Sequence, residues 1–248
     1  MIELKNQHLF ILSTPEIRLC IEKAHKSNLP IYIVGGTLRD IILGLEIKDI
    51  DIVIEASPAK FIEYISSLNM KGRLLKRFYT YKIDLSNNGI AHIDIAMARK
   101  EVYPKPGALP QVSPGSIEED LFRRDFTINA FAAPLSLTRH IGEIIDPLNG
   151  LNDLEAKIIR ILHDKSFIDD PTRIFRAIRF KVRLGFYIEP HTQLLMEEAI
   201  KSKALSTVGI LRINKEMTLC AKEDKSKEIF EELIKLGALP SNFTVPGN

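Results

Sequence analysis

The chain has 248 residues, 45% hydrophobic and 27% charged, with a formal net charge of +2. That is an ordinary soluble composition, long enough for one large domain or two small ones. No run approaches the ~18 apolar residues of a membrane span, and the two cysteines, Cys20 and Cys220, offer neither a zinc spacing nor a disulfide framework.

The opening stretch carries an acid at Glu3 and too short an apolar core for a signal peptide. Both cysteines sit in apolar, helix-like patterns and read as buried thiols of a reducing compartment, which points to the cytoplasm and to no membrane. Pro15–Ser27 fits an amphipathic helix with Ile17, Cys20, Ile21 and Ala24 on one side.

Ile31 to Glu55 organises the rest. Ile31–Val34 is a short apolar run suited to a buried strand. Gly35-Gly36 reads as a turn, and Thr37–Leu43 as a short helix stopped by Gly44. In Asp49–Ile54, Ile50, Ile52 and Ile54 alternate with the aspartates, so a strand sends Asp49 and Asp51 to one face. Two readings are open there: a solvated face, or a carboxylate pair that needs a cation such as Mg²⁺. A glycine pair ahead of a helix start lets backbone N–H groups approach an anion. Cradle and carboxylates in one unit suggest a metal-nucleotide site.

Ser57-Pro58 opens a second helix that buries Phe61, Ile62 and Ile65. Arg73–Phe78 and Tyr79–Leu85 read as strands, Asn87-Asn88-Gly89 as a turn, and Ile90–Ala96 as the returning strand. His92 and Asp94 share a face of it. Asp94 is then either a third carboxylate beside Asp49 and Asp51 or an edge residue facing water. Ala98–Pro114, with four prolines and one glycine, shows no periodicity and reads as a long loop.

Ser116-Ile-Glu-Glu119 is a capping box opening a helix through Phe122. Arg123-Arg124-Asp125-Phe126-Thr127-Ile128-Asn129 follows. Arginine forks suit triphosphate oxygens, and Asp125 and Asn129, four apart, fit one helix face; the alternative is an arginine–aspartate cluster holding a turn. Leu151–Ala156 reads as a helix and Ile158–Leu162 as a short strand. From Asp169 onward the pattern is helical: Asp170-Pro171 through Leu184 with Gly185 as the stop, then His191–Ser202, Val208–Ala221 and Ser226–Leu236. Asp170 is either a helix cap or, with Arg173, a base reader. A carboxylate beside a guanidinium matches the exocyclic amine and ring nitrogen that adenine and cytosine share, and mismatches guanine and uracil. Two basic stripes suit a phosphate-backbone partner: Lys71–Lys82, with five basic residues and no acid, and Lys157–Arg183, with eight basic and three acidic.

GGTLRD, KDIDIVI, EDLFRRDFTINAFA and DDPTRIFRAIRF resemble, in order and spacing, the motifs of class II tRNA nucleotidyltransferases. These are the CCA-adding enzymes with their A-adding, CC-adding and poly(A) polymerase relatives. The resemblance implies an α+β fold: a head with a mixed sheet flanked by helices, residues 1–163, then an all-helical neck and short body, residues 164–248. It implies addition of AMP or CMP to the tRNA 3′ CCA end, from ATP or CTP, with two Mg²⁺ ions. Asp49 and Asp51 would hold the metal, with Asp94 as third carboxylate; Gly35, Gly36 and Arg124 the triphosphate; Asp125 the ribose; Asp170 and Arg173 the base. Arg39, Arg123, Asn129, Arg176 and Arg179 lie in the same motifs as further nucleotide-binding candidates. The family's first neck position, often glutamate, is Asp169 here. Ala98–Pro114 corresponds to a segment thought to switch nucleotide preference. Family members usually continue into a body and tail that grip tRNA. The expectation is therefore a truncated or minimal enzyme, or a partner chain or second copy completing the grip, with salt-dependent tRNA binding through the basic stripes.

Overall fold

The computed structural model describes residues 12, 14–85, 90–137 and 142–244. The Asn87-Asn88-Gly89 turn and the first residues of the chain lie outside that set. The chain divides into two compact units, residues 1–101, 112–124 and 128–150, and residues 102–111, 125–127 and 151–248.

The first unit is built on a six-stranded sheet. Its strands are β1 (Ile31–Val34), β2 (Asp49–Ile54), β3 (Arg73–Leu75), β4 (Thr80–Asp84), β5 (His92–Met97) and, after a ribbon of β6 (Arg99–Val102) and β7 (Gln111–Pro114), β8 (Ala132–Pro134). The order is β3-β4-β5-β2-β1-β8. Only β2 and β5 run parallel; the other neighbours are antiparallel. Ile50, Ile52 and Ile54 are buried as alternation requires, each contributing roughly 1.5–3 kcal/mol. Val53 is buried too, against Val34, Ala98, Ile117 and Leu121, so β2 is covered on both faces towards its end.

Helix α1 (Pro15–Lys26) buries Ile17, Cys20, Ile21 and Ala24. Helix α2 (Gly35–Leu43) follows β1 directly, and α3 (Pro58–Ser67) is capped by Ser57, whose hydroxyl accepts from the Lys60 N–H. Its apolar face differs from the expected one: Tyr64 is buried and donates to the Cys20 carbonyl at 3.0 Å, whereas Ile62 is exposed. Burial pushes the Cys20 thiol up to about 12 and the Cys220 thiol up to about 11, so both are inert.

One strand expectation and one loop expectation change. Lys76–Phe78 is a 3₁₀ turn rather than the end of a strand, because Tyr79 takes a left-handed conformation at φ 44°. The segment 98–114 is not irregular throughout, since β6 and β7 pair. Arg99 and Glu101 lie on one side of β6 and pair at 2.9 Å, a feature that alternation of apolar residues does not reveal. Helix α4 (Ile117–Phe122) has the full capping box of Ser116 and Glu119.

In the second unit, α5 (Gly150–Glu155) precedes β9 (Ile158–Ile159), which pairs in parallel with β10 (Tyr187–Ile188). Phe126 bridges to Ile161. These pairings draw residues 151–163 into the unit of the helices, where the sequence alone suggested the end of the head. Helices α6 (Ser166–Asp169), α7 (Arg173–Leu184), α8 (Pro190–Lys201), α9 (Ile210–Ala221) and α10 (Ser226–Lys235) complete it. Ile174, Phe175 and Ile178 of α7 and Ile229, Phe230 and Leu233 of α10 form its core, with Lys181 and Glu232 paired at 2.6 Å. Gly185, at φ 67°, stops α7 as expected. Among the described residues no helix is long and apolar enough to cross a membrane.

Candidate active site

In the first unit the site grows from the β1–α2 junction. The glycines are the first turn of α2 rather than a separate turn, and Val34, the residue before the helix, lends it no side-chain cap. Gly35 takes φ +61°, and a Cβ there would lie 2.6 Å from Nη1 of Arg124. Only a bare Cα in a left-handed conformation admits the guanidinium so close. The Gly35 N–H already donates to the Phe131 carbonyl at 3.3 Å. A Cβ on Gly36 would meet Arg39 Nη2 at 3.6 Å and Asp51 Oδ2 at 3.9 Å, so this glycine lies beside the carboxylates.

Thr37 fixes that neighbourhood. Its hydroxyl donates to the Asp49 carbonyl at 3.1 Å and accepts from the Asp51 N–H at 2.8 Å, fastening α2 to β2 between the two aspartates. Sequence reasoning missed it; its place right after the glycine pair was the available signal. The parallel register sets Asp51 beside Asp94 and Asp49 beside His92.

The electrostatics are unbalanced. Burial pushes the Asp51 carboxyl up to about 6; Arg124 pulls it down, Asp94 and Asp49 push it up, and Lys82 pulls it down again. Asp94 Oδ2 is held by the Lys82 ammonium from β4, while its Oδ1 is buried with no hydrogen-bond partner. Among the described residues no three His, Cys, Asp or Glu groups gather into a metal-ligand set. The third carboxylate is thus adjacent in register but already paired with lysine.

Arg124 is anchored at its back. Nη2 donates to Asp120 Oδ2 at 2.9 Å, and Asp120 is fully buried. Arg123 uses the same anchor, Nε and Nη2 donating to Asp120 Oδ1 at 2.9 and 2.7 Å, and gives Nη1 to Glu101 at 3.1 Å. Arg39, 2% exposed, binds Asp40 through Nε at 2.8 Å and Asn129 through Nη1. Arg39, Arg123 and Asn129 therefore act as internal struts.

In the second unit Asp125 Oδ1 accepts from the Phe126 N–H at 2.9 Å and Oδ2 takes Arg176 Nε at 2.7 Å. Burial works against the Arg176 charge, but Asp125, Glu216 and Asp170 hold its pKa above the ordinary arginine value. Arg179 sits 5.0 Å from the Phe180 ring centroid and pairs with Glu223 at 3.2 Å. Asp170 precedes α7. Its Oδ1 accepts the Thr172 N–H at 3.1 Å and hydroxyl at 2.6 Å, a turn-capping arrangement, and also Arg212 Nη2 at 2.7 Å. Arg173 is buried and donates to the Ser166 hydroxyl. Asp125 and Asn129 do not share a helix face, because the backbone from 125 to 129 passes through a bridge and a 3₁₀ turn.

The poly A polymerase head domain family matches residues 31–160, more than half of the chain. This chain belongs to that family. It is 37% identical over 240 residues to an A-adding tRNA nucleotidyltransferase of Geobacter sulfurreducens, covering 96% of this chain and 27% of that protein. A second such enzyme, from Aquifex aeolicus, is 41% identical over 207 residues, 81% of this chain and 24% of its own length. The chain thus spans about a quarter of the length of these curated relatives. A solved CCA-adding enzyme in an apo form superposes with a TM-score of 0.78 at 37% identity, covering 93% of this chain and 55% of that one. A tRNA nucleotidyltransferase complexed with a primer tRNA and an incoming ATP analog gives 0.74 at 37% identity, covering 89% and 61%.

Against the family's motifs, Gly35, Gly36, Asp49, Asp51 and Arg124 meet in the first unit, and Asp125, Asp170, Arg173, Arg176 and Arg179 belong to the second. Thr37 and Asp120 carry no charge toward a ligand. They hold the aspartate strand and the triphosphate arginine candidate in place.

Proposed function

We propose that this chain is a template-independent RNA 3′-nucleotidyltransferase that transfers AMP from ATP to the tRNA 3′ end and releases pyrophosphate, with CTP as its second substrate. The observation that carries the reading is Asp51. Burial, helped by the charges of Asp94 and Asp49, holds its carboxyl up to about 6 against the pull of Arg124 and Lys82, while Arg124 is held against Gly35. The likeness to A-adding enzymes supports it.

Asp49 and Asp51 suit magnesium, which is commonly held by one or two carboxylates together with substrate phosphates. When bound, the metal would lower the pKa of the primer 3′-hydroxyl and neutralise the leaving pyrophosphate. The chain's own groups do the rest in this reading. Arg124 binds triphosphate oxygens, Gly35 and Gly36 leave room for them, and Asp125 accepts from the ribose hydroxyl. Asp170 and Arg173 read the base, selecting adenine and cytosine by their shared amine edge. The 3′-oxygen bonds to the α-phosphorus as the bond to the β-phosphate bridge breaks. The first unit carries transfer, and the second carries ribose and base reading and RNA contact. The basic stripes bind tRNA with strong salt dependence, and a reducing cytoplasm suits the two buried thiols.

The test is single-nucleotide incorporation with Mg²⁺, each NTP offered separately to tRNA ending before CCA, after C and after CC. AMP added only to the CC-ended tRNA is the A-adding outcome; C, C and A in turn is the CCA-adding outcome. Long A tails on unrelated RNA would overturn the tRNA specificity, and no incorporation would overturn the catalytic role.

A further inference from the structure

Arg212 is an odd residue for its position. It stands in the first turn of α9, which begins at Ile210, where a cation opposes the helix dipole. Its neighbours explain it. Nη2 donates to Asp170 Oδ1 at 2.7 Å and Nη1 to the carbonyl of Gly107 at 2.7 Å. One planar guanidinium spans a carboxylate and a backbone carbonyl 63 residues apart in sequence (170 − 107), a bridge that suits arginine's fixed fork.

Both ends are built. The Gly107 N–H donates to the Ile168 carbonyl at 3.2 Å. At φ +67° a Cβ on this residue would fall 2.1 Å from the Thr207 hydroxyl, so only glycine fits. At Asp170 the Thr172 N–H, the Thr172 hydroxyl and Arg212 all converge on Oδ1. That leaves Oδ2 as the acceptor for an incoming amine.

We infer that Arg212 is a positioning residue for base selection: it locks the Asp170 carboxylate and ties the tip of the 102–111 segment to the same clasp. The inference rests on the base-reading role proposed above for Asp170. With Arg212 removed, the carboxylate keeps only its Thr172 donors, and the segment loses one of its two backbone tethers at Gly107.

The experiment compares kcat/KM for ATP and for GTP on CC-ended tRNA in the full chain and in Asp170→Ala, Arg212→Met, Arg212→Lys and the Asp170→Ala/Arg212→Met double variant. Hydrogen exchange over residues 102–111 is followed in parallel. Arg212→Met should lower discrimination against GTP about tenfold, the worth of one charge-assisted hydrogen bond, and speed exchange in the segment. Arg212→Lys should lose part of both, since one ammonium does not span the two acceptors. The double variant should discriminate no worse than Asp170→Ala alone, which a merely structural role would not produce. If Asp170→Ala loses discrimination and Arg212→Met keeps it, the inference is wrong and the base reader stands. If Asp170→Ala keeps it, the base-reading role fails and the inference with it. Should Arg212→Met not fold, wild-type discrimination in Arg212→Lys would overturn the inference.

Discussion

Asp120 and Asp51 are both carboxylates of the first unit, one fully buried and one half-buried, and Arg124 acts on both, yet their surroundings differ in sense. Asp120 is fully buried and holds two guanidiniums, with the Arg99 N–H as a further donor at 3.3 Å. Burial opposes its charge, but Arg123 and Arg124 outweigh that and hold its pKa below the ordinary carboxylate value. At Asp51 burial is the largest influence, Arg124 and Lys82 oppose it, Asp94 and Asp49 add to it, and the pKa rises instead. A structural charge cluster is closed by its own counter-ions. A carboxylate whose burial is not offset by its neighbours is a candidate to take up a cation.

The largest effect should come from Asp51→Asn, which should take incorporation to background. It should also stabilise the metal-free protein at neutral pH. A folded pKa of about 6 against an ordinary 3.8 means ionisation opposes folding. The stability is fully present below pH ~4 and is lost as pH rises through about 6, on the order of 3 kcal/mol. Melting curves should place the variant above wild type at pH 8 and level with it near pH 4, and Mg²⁺ should raise the melting temperature of wild type only. Equal melting at pH 8 would break the comparison at its charge-starved end.

Asp120→Asn should do the reverse, destabilising the fold by ~3–5 kcal/mol in urea titrations because two arginines lose their anchor. Asp120's lowered pKa places its own contribution above the ordinary carboxylate range, to be lost as pH falls through the folded value. Its loss should therefore be the same at pH 6 and pH 8, and a strong dependence between them would contradict the assignment. Gly35→Ala should cost ~1–2 kcal/mol in backbone strain and displace Arg124, raising KM for the nucleotide more than it lowers kcat. An unchanged KM would detach Arg124 from the triphosphate. The smallest effect should follow Lys82→Met. With one lowering charge gone, carboxylate-carbon NMR titration should find Asp51 above its wild-type value, and a fall would reassign Lys82.

The legible parts of the fold are those encoded by local periodicity. β1, β2 and the helix between them, the capping box at Ser116, and the glycine stops at Gly44 and Gly185 all follow from alternation, capping and left-handed glycine. What stayed hidden was encoded between distant segments. β6 is marked by an Arg99–Glu101 ion pair and not by alternating hydropathy, and residues 151–163 join the helices through pairing with β10.

The candidate site divides the same way. The sequence by itself determined which residue types stand together on β2 and that Asp49 and Asp51 share a face, because strand period is a property of the chain alone. Tertiary structure decided that Asp94 stands beside Asp51 and is held by Lys82, since that depends on the register of a parallel pair. It decided too that, of two adjacent arginines, Arg123 closes on Asp120 and Glu101 while Arg124 reaches Gly35. Partner choice among like charges is set by which counter-ions the fold brings within ~3 Å, and no local pattern carries that distance.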